Sequence, residues 1–135
     1  EAFISYEWFE GEEKYYERIY QVAKDYKSIL SDLVADKQLK IFKKIKPSLV
    51  LNKVHFRFGN DKKYLLYFRF KNSTKLSLVK DLICDLATFS NKKSILRETL
   101  KQLGDVQLNF LSIGKDEITL YYRTVPFVIP PIYSY

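Results

Sequence analysis

The sequence contains no methionine, and it has only one cysteine, one histidine and one tryptophan in 135 residues. Because a lone Cys84 cannot form an internal disulfide, we interpret it as a small buried apolar residue. Glycine and proline number four each, so linkers and low-complexity segments are scarce. We therefore expect one domain over residues 1–135. A lysine-rich chain with few thermolabile residues is also typical of thermophile proteins.

Several function classes lack their motifs here. No apolar run approaches the roughly 20 residues that span a bilayer, and no basic region followed by an apolar one opens the chain, so an intracellular, cytoplasmic protein without membrane contact is expected. No histidine pair or CxxC motif is present for zinc, and no glycine-rich loop for a nucleotide phosphate, so we expect neither metal nor cofactor. The single His55 excludes acid–base chemistry that needs two histidines.

A metal-dependent nuclease would need carboxylates that converge on Mg²⁺, usually beside a lysine. Asp81 and Asp85 lie four residues apart next to Lys80, and Asp116 with Glu117 occupies a turn. Each set resembles an ordinary solvated acid pair. We therefore assign no catalytic residue and no metal site, and a nuclease stays the less favoured alternative.

The net charge of +7 is unevenly distributed. Residues 1–26 carry seven acidic and three basic side chains, a net charge of −4, whereas the remaining 109 residues carry nine acidic and 20 basic ones, a net charge of +11. Such asymmetry indicates a domain body that meets a polyanion, with an acidic end that is solvated or folded against it. Ordinary solubility charge is the competing interpretation.

A heptad-like spacing predicts a long helix over residues 12–35. It rests on apolar residues at Tyr15, Ile19, Val22, Tyr26, Ile29 and Leu33. Such a helix would either lie across its own sheet or form a homodimer through a short coiled coil. A basic helical segment follows and ends before Pro47. Its lysines either contact phosphate or form a solvated face; they are Lys37, Lys40, Lys43, Lys44 and Lys46.

Alternating residues predict two hairpins separated by a central helix pair. The first hairpin contains the triplet Phe-Arg-Phe twice, at 56–58 and 68–70, and the second turns at Gly114. The expected fold is therefore α+β: a four-stranded antiparallel sheet made of two hairpins, with one face covered by the long N-terminal helix and the helix pair. Residues 1–10 would form an acidic aromatic arm, and residues 125–135 an extended proline-rich tail.

The uncovered sheet face is the candidate binding surface. Cations there can neutralise phosphates while tyrosine rings stack on unpaired bases, which favours single-stranded DNA or RNA. A polar sheet face without function is the competing interpretation. The residues expected to bind nucleic acid are Lys53, His55, Arg57, Tyr67, Arg69, Lys71, Tyr121 and Arg123, with Gln107, Asn109 and Thr119 beside them.

A non-enzymatic nucleic-acid-binding protein is thus the favoured function. The alternative is an oligomeric structural or adaptor subunit that binds a protein partner through the first helix and the C-terminal tail. Its basis is the heptad spacing, the exposed aromatics expected near the N-terminus and the apolar tail.

Overall fold

The computed structural model describes residues 2–72, 74–87 and 93–123. Their six strands form one curled antiparallel sheet in the order β1-β2-β3-β4-β5-β6, and helix pairs connect β2 to β3 and β4 to β5. The elements are β1 (Ala2–Trp8), β2 (Tyr15–Val22), α1 (Tyr26–Leu33), α2 (Asp36–Ile45), β3 (Leu49–Gly59), β4 (Leu65–Phe70), α3 (Leu76–Leu86), α4 (Lys93–Leu103), β5 (Gln107–Gly114) and β6 (Glu117–Arg123). A short 3₁₀ turn, Lys46–Ser48, joins α2 to β3.

The helices pack on one face of the sheet, and the hydrophobic core lies between the helices and the sheet. Phe68 of β4 is fully buried, with ring centroids of Phe42 on α2 and Tyr26 on α1 at 4.9 and 5.7 Å. Burying one such side chain stabilises the fold by about 1.5–3 kcal/mol. Helix α3 adds an apolar stripe at helical spacing, made of Leu76, Val79, Ile83 and Leu86, with Cys84 also buried. Among the residues that the structure describes, this packing leaves the other sheet face uncovered.

The expected four-stranded sheet with a long N-terminal helix is wrong. Residues 15–22, predicted as helix, form β2, which pairs with β1 on one side and β3 on the other. A spacing of four residues, as between Tyr15 and Ile19, keeps two side chains on one face of a strand as well as of a helix. The segment is also rich in tyrosine, isoleucine and valine, which favour strands. The homodimer expected through residues 12–35 therefore loses the continuous helix on which it depended.

Before β3, helical structure begins only at Tyr26 and consists of two separate helices, α1 and α2. Val34 has φ −128° and ψ 157°, an extended conformation that separates α1 from α2. Asp36 then lies in the first turn of α2, where a carboxylate complements the positive end of the helix dipole. Helix α2 ends at Ile45, two residues before Pro47.

The N-terminal segment expected as an arm contains β1, an edge strand of the sheet. The turn that joins β1 to β2 has Gly11 at φ +84°, a left-handed conformation that favours glycine. The Glu12 N–H donates a hydrogen bond to the Phe9 carbonyl oxygen across this turn, at 3.1 Å. The hairpin thus adds two strands to the sheet. The predicted tail at 125–135 lies outside the described residues.

Asn60 fastens this hairpin to the rest of the sheet. Its Oδ1 accepts a hydrogen bond from the Glu17 N–H at 2.9 Å, and its Nδ2 donates one to the Tyr15 carbonyl oxygen at 3.0 Å. Gly59 permits the close approach, because a Cβ built there would lie 2.1 Å from the Glu17 carbonyl oxygen. One amide side chain therefore continues the β2–β3 pairing beyond the end of β3.

Candidate nucleic-acid interface

The uncovered face carries a groove lined by aromatic rings, which we call the aromatic trough. It has a volume of about 490 Å³ and draws one lining residue from each of the six strands. Strand pairing explains this assembly, since Phe3 pairs with Tyr20 and His55 pairs with Tyr67 on the same side of the sheet. The trough is lined by Phe3, Tyr20, His55, Tyr67, Phe110 and Tyr121.

The rings of the trough converge across intervening strands. The ring centroids of Tyr20 on β2 and Tyr67 on β4 are 5.9 Å apart, and those of Tyr67 and Tyr121 on β6 are 6.4 Å apart. Each pair belongs to strands two positions apart, which are about 9.6 Å apart in a flat sheet. The side chains therefore lean toward one another, as on the inner side of a curled sheet.

Tyr67 at the centre of the trough is a neutral, half-buried phenol. Burial raises the pKa of its hydroxyl far above the ordinary value, and the neighbouring Tyr121 and Tyr20 raise it further. A hydrogen bond with Tyr121 acts in the same direction, and Arg57 opposes the shift only in part. Tyr67 thus offers an uncharged aromatic ring at physiological pH.

A cationic pocket adjoins one end of the trough. It has a volume of about 260 Å³ and contains Arg69 at the end of β4, Lys71 just after it and Arg123 at the end of β6. All three cations are exposed, and none forms an ion pair with another residue that the structure describes. Phe110 lines both the pocket and the trough. The remaining lining residues are Phe70, Asn72, Gln107, Leu108 and Asn109.

The opposite end of the face carries arginines that are already neutralised. Arg57, predicted to contact phosphate, is only 4% exposed and pairs with Asp61. Arg18 bridges Glu7 and Asp61, with its Nε 3.6 Å from a carboxylate oxygen of Asp61. Arg57, predicted as a binding residue, is therefore buried and paired instead of exposed, because the turn after β3 supplies an acid that the sequence alone did not place beside it.

Opposite charges and hydrogen bonds within this network shift the pKa values of Asp61 and Arg18. Burial opposes ionisation of the Asp61 carboxyl, but hydrogen bonds from the Lys63 N–H and from Arg57, with the charges of Arg57 and Arg18, hold its pKa below the usual value. Burial likewise disfavours charged Arg18, yet Glu7 and Asp61 outweigh it and raise the pKa of the guanidinium. Asp61 and Arg18 are therefore both charged over the physiological range.

The structure brings together six of the eight predicted binding residues and leaves two aside. His55, Tyr67 and Tyr121 line the trough, and Arg69, Lys71 and Arg123 line the cationic pocket, whereas Arg57 is buried. Lys53 is exposed near a register shift in β3 and lines neither site. The predicted second basic patch lies on the helix-covered side: Lys37, Lys40, Lys43 and Lys44 are exposed on α2, and Lys46, in the 3₁₀ turn that follows, is half-buried.

Three aromatic residues of the trough were missed by the sequence reading. Tyr20 fell within the predicted helix, and Phe3 within the predicted arm. Phe110 was assigned to the core with Leu108, but a register shift between them turns Phe110 to the open face, where it pairs with Tyr121. Alternation within residues 16–20 was the one signal that could have identified Tyr20.

The remaining predicted acids are dispersed. Asp81 and Asp85 lie on α3, and Asp116 with Glu117 lies where β5 turns into β6. Among the described residues, no group of three or more His, Cys, Asp or Glu side chains could hold a metal ion. In the same part of the chain, no helix has the length and apolar character needed to cross a membrane.

No protein-family model matches the chain, and no curated protein and no solved structure is significantly similar to it.

Proposed function

We propose that the protein binds single-stranded nucleic acid on the open sheet face, without catalysing a reaction. The observation that carries this proposal is the junction at Phe110, where the aromatic trough meets a pocket with three cations that form no ion pair with any described residue. A nucleotide combines the same two chemistries, a flat aromatic base and an anionic phosphate. The bases occupy the trough, and the phosphate lies on Arg69 and Arg123.

Stacking favours single strands over a duplex at this site. Base–aromatic stacking contributes roughly 1–3 kcal/mol per base and needs an exposed base face. In a duplex the bases are already stacked on their neighbours. Their faces are therefore not available to the rings of Tyr67 and Tyr121, and stacking adds little to the binding free energy. A duplex would keep only the phosphate contacts, which supply non-specific affinity.

The charge distribution predicts a short contact with few phosphates. Arg18 and Arg57 are paired with Glu7 and Asp61, so the available cations lie at one end of the trough. Three phosphate contacts on a single strand give a slope of about −2 in a plot of log affinity against log salt. A much steeper slope would require phosphate contacts beyond the cationic pocket.

The experiment is fluorescence anisotropy with labelled single-stranded and double-stranded oligonucleotides over a salt series. In the variant Arg69→Ala/Arg123→Ala we expect about 30-fold weaker binding, from roughly 1 kcal/mol per lost contact. The matched control is Lys40→Ala/Lys44→Ala, which removes the same charge from α2 and should change affinity less than about threefold. Loss of binding in the control alone would place the site on α2 and refute the open-face proposal.

Stacking has its own matched pair of variants. Tyr121 and Tyr122 are adjacent and similarly exposed, at 42% and 38%, but they lie on opposite faces of β6. Replacing Tyr121 with alanine should cost roughly 1–3 kcal/mol of binding free energy, and replacing Tyr122 should cost almost none. Equal effects of the two substitutions would contradict base stacking in the trough.

A further inference from the structure

We propose that the chain also associates with itself head to tail: the acidic, aromatic end of the β1–β2 hairpin of one copy docks into a lysine-rimmed apolar pocket between α1 and α2 of another. The two surfaces lie apart from the aromatic trough and the cationic pocket. The hairpin end has exposed aromatic rings beside acidic side chains, and the pocket has an apolar lining beside lysines.

The docking element is the aromatic tip, which we define as Tyr6, Trp8 and Tyr15. The three rings contact one another, with centroids 5.8–6.1 Å apart. They are nevertheless 50%, 67% and 45% exposed in the part of the chain that the structure describes. A cluster of three large rings that is packed internally and open outward is typical of the centre of a protein interface.

The turn beside the aromatic tip is acidic. Residues 9–14 contain three exposed carboxylates, on Glu10, Glu12 and Glu13, against the single cation of Lys14, a net charge of −2. Trp8 pairs directly with Tyr15 at the mouth of this turn, so the acids flank the rings. The tip therefore fits an apolar recess with a cationic rim.

Such a recess lies between the first two helices. It has a volume of about 310 Å³, and its apolar lining includes Leu30, Leu39 and Phe42. Lysines surround it: Lys27, Lys43 and Lys46 belong to the lining, and residues 36–46 carry five lysines against one acid, a net charge of +4. The recess thus matches the tip in both apolar character and charge.

Charge complementarity within one sequence points to a second copy as the occupant. The acidic excess is confined to residues 1–26, and the basic excess belongs to the rest of the chain. Because tip and recess are different surfaces, a docked pair still has one free tip, on one copy, and one free recess, on the other. Wild-type protein should therefore form rings or open chains instead of stopping at a two-fold dimer.

Trp8 provides the readout, since it is the only tryptophan in the sequence. On raising the protein concentration, its emission should shift to shorter wavelength while light scattering reports an increasing mass. The variant Lys27→Glu/Lys43→Glu should associate at least about tenfold more weakly, because it sets like charges opposite the acidic turn. The control Lys101→Glu/Lys115→Glu makes the same change at exposed positions elsewhere and should leave association nearly unaltered.

Mixing two defective variants tests the head-to-tail geometry. A Trp8→Ala protein has an intact recess but a defective tip. The Lys27→Glu/Lys43→Glu protein has an intact tip, including Trp8, but a defective recess. Together they should form a plain one-to-one dimer, visible as a blue shift of the only tryptophan present. Circular dichroism of each variant checks that it is folded. The proposal is overturned if wild type stays monomeric with constant emission at low salt, or if the mixed variants do not combine.

Discussion

Replacing Asp61 with asparagine tests whether the buried charge network governs the stability of the sheet. The side chains of Asp61 and Arg57 are only 8% and 5% exposed, so the substitution leaves a buried guanidinium without its counter-charge. Breaking such a pair costs about 3–5 kcal/mol. A remaining neutral hydrogen bond from the new amide offsets roughly 1 kcal/mol. We therefore expect a loss of about 3 kcal/mol in the free energy of unfolding.

In a domain of this size that loss lowers the melting temperature by about 12 °C. Urea unfolding at neutral pH measures it, with the exposed Asp81→Asn on α3 as a chemically identical control. Adding Arg57→Met to Asp61→Asn should restore part of the stability, since a neutral pair removes the uncompensated charge. A change below about 1 kcal/mol for Asp61→Asn alone would show that the network does not stabilise the fold as argued.

The same carboxyl predicts the acid dependence of stability. Because the folded-state pKa of Asp61 is held below its ordinary value near 3.9, its contribution is present above about pH 4 and is lost as the pH falls further. Wild type should therefore lose stability on acidification more steeply than Asp61→Asn. Parallel pH-dependent curves for the two proteins would contradict this coupling.

Three further predictions concern the hairpin junction and the trough. Gly59→Ala should destabilise the protein by about 2 kcal/mol, seen in thermal unfolding, because its Cβ would meet the Glu17 carbonyl oxygen and force β2 from β3. Asn60→Ala should accelerate amide hydrogen exchange at Glu17, whose N–H loses its acceptor, while leaving the α3 amides protected. Tyr67, with its raised pKa, should ionise above the range of exposed tyrosines in an ultraviolet titration, and stability should fall as pH rises above about 10, a decline that Tyr67→Phe reduces.

Elements whose signals are local could be predicted from the sequence. Glycine-containing turns and alternating residues identify both hairpins, present as β3–β4 and β5–β6, and Pro47 marks the end of the basic helix. The separation of an apolar face from one with arginine and tyrosine was likewise readable from alternation. These features depend on residues only a few positions apart.

Three other features could be seen only in the folded chain, because each depends on a partner that is distant in the sequence. Residues 15–22 became a strand because β1 and β3 were available to pair with them, although their spacing also suited a helix. Arg57, expected on the open face, is buried because it forms an ion pair with Asp61. Phe110 joined the open face because a register shift in β5 reverses the alternation. Periodicity describes a side chain's direction relative to its own segment, whereas pairing, burial and register depend on which segments meet.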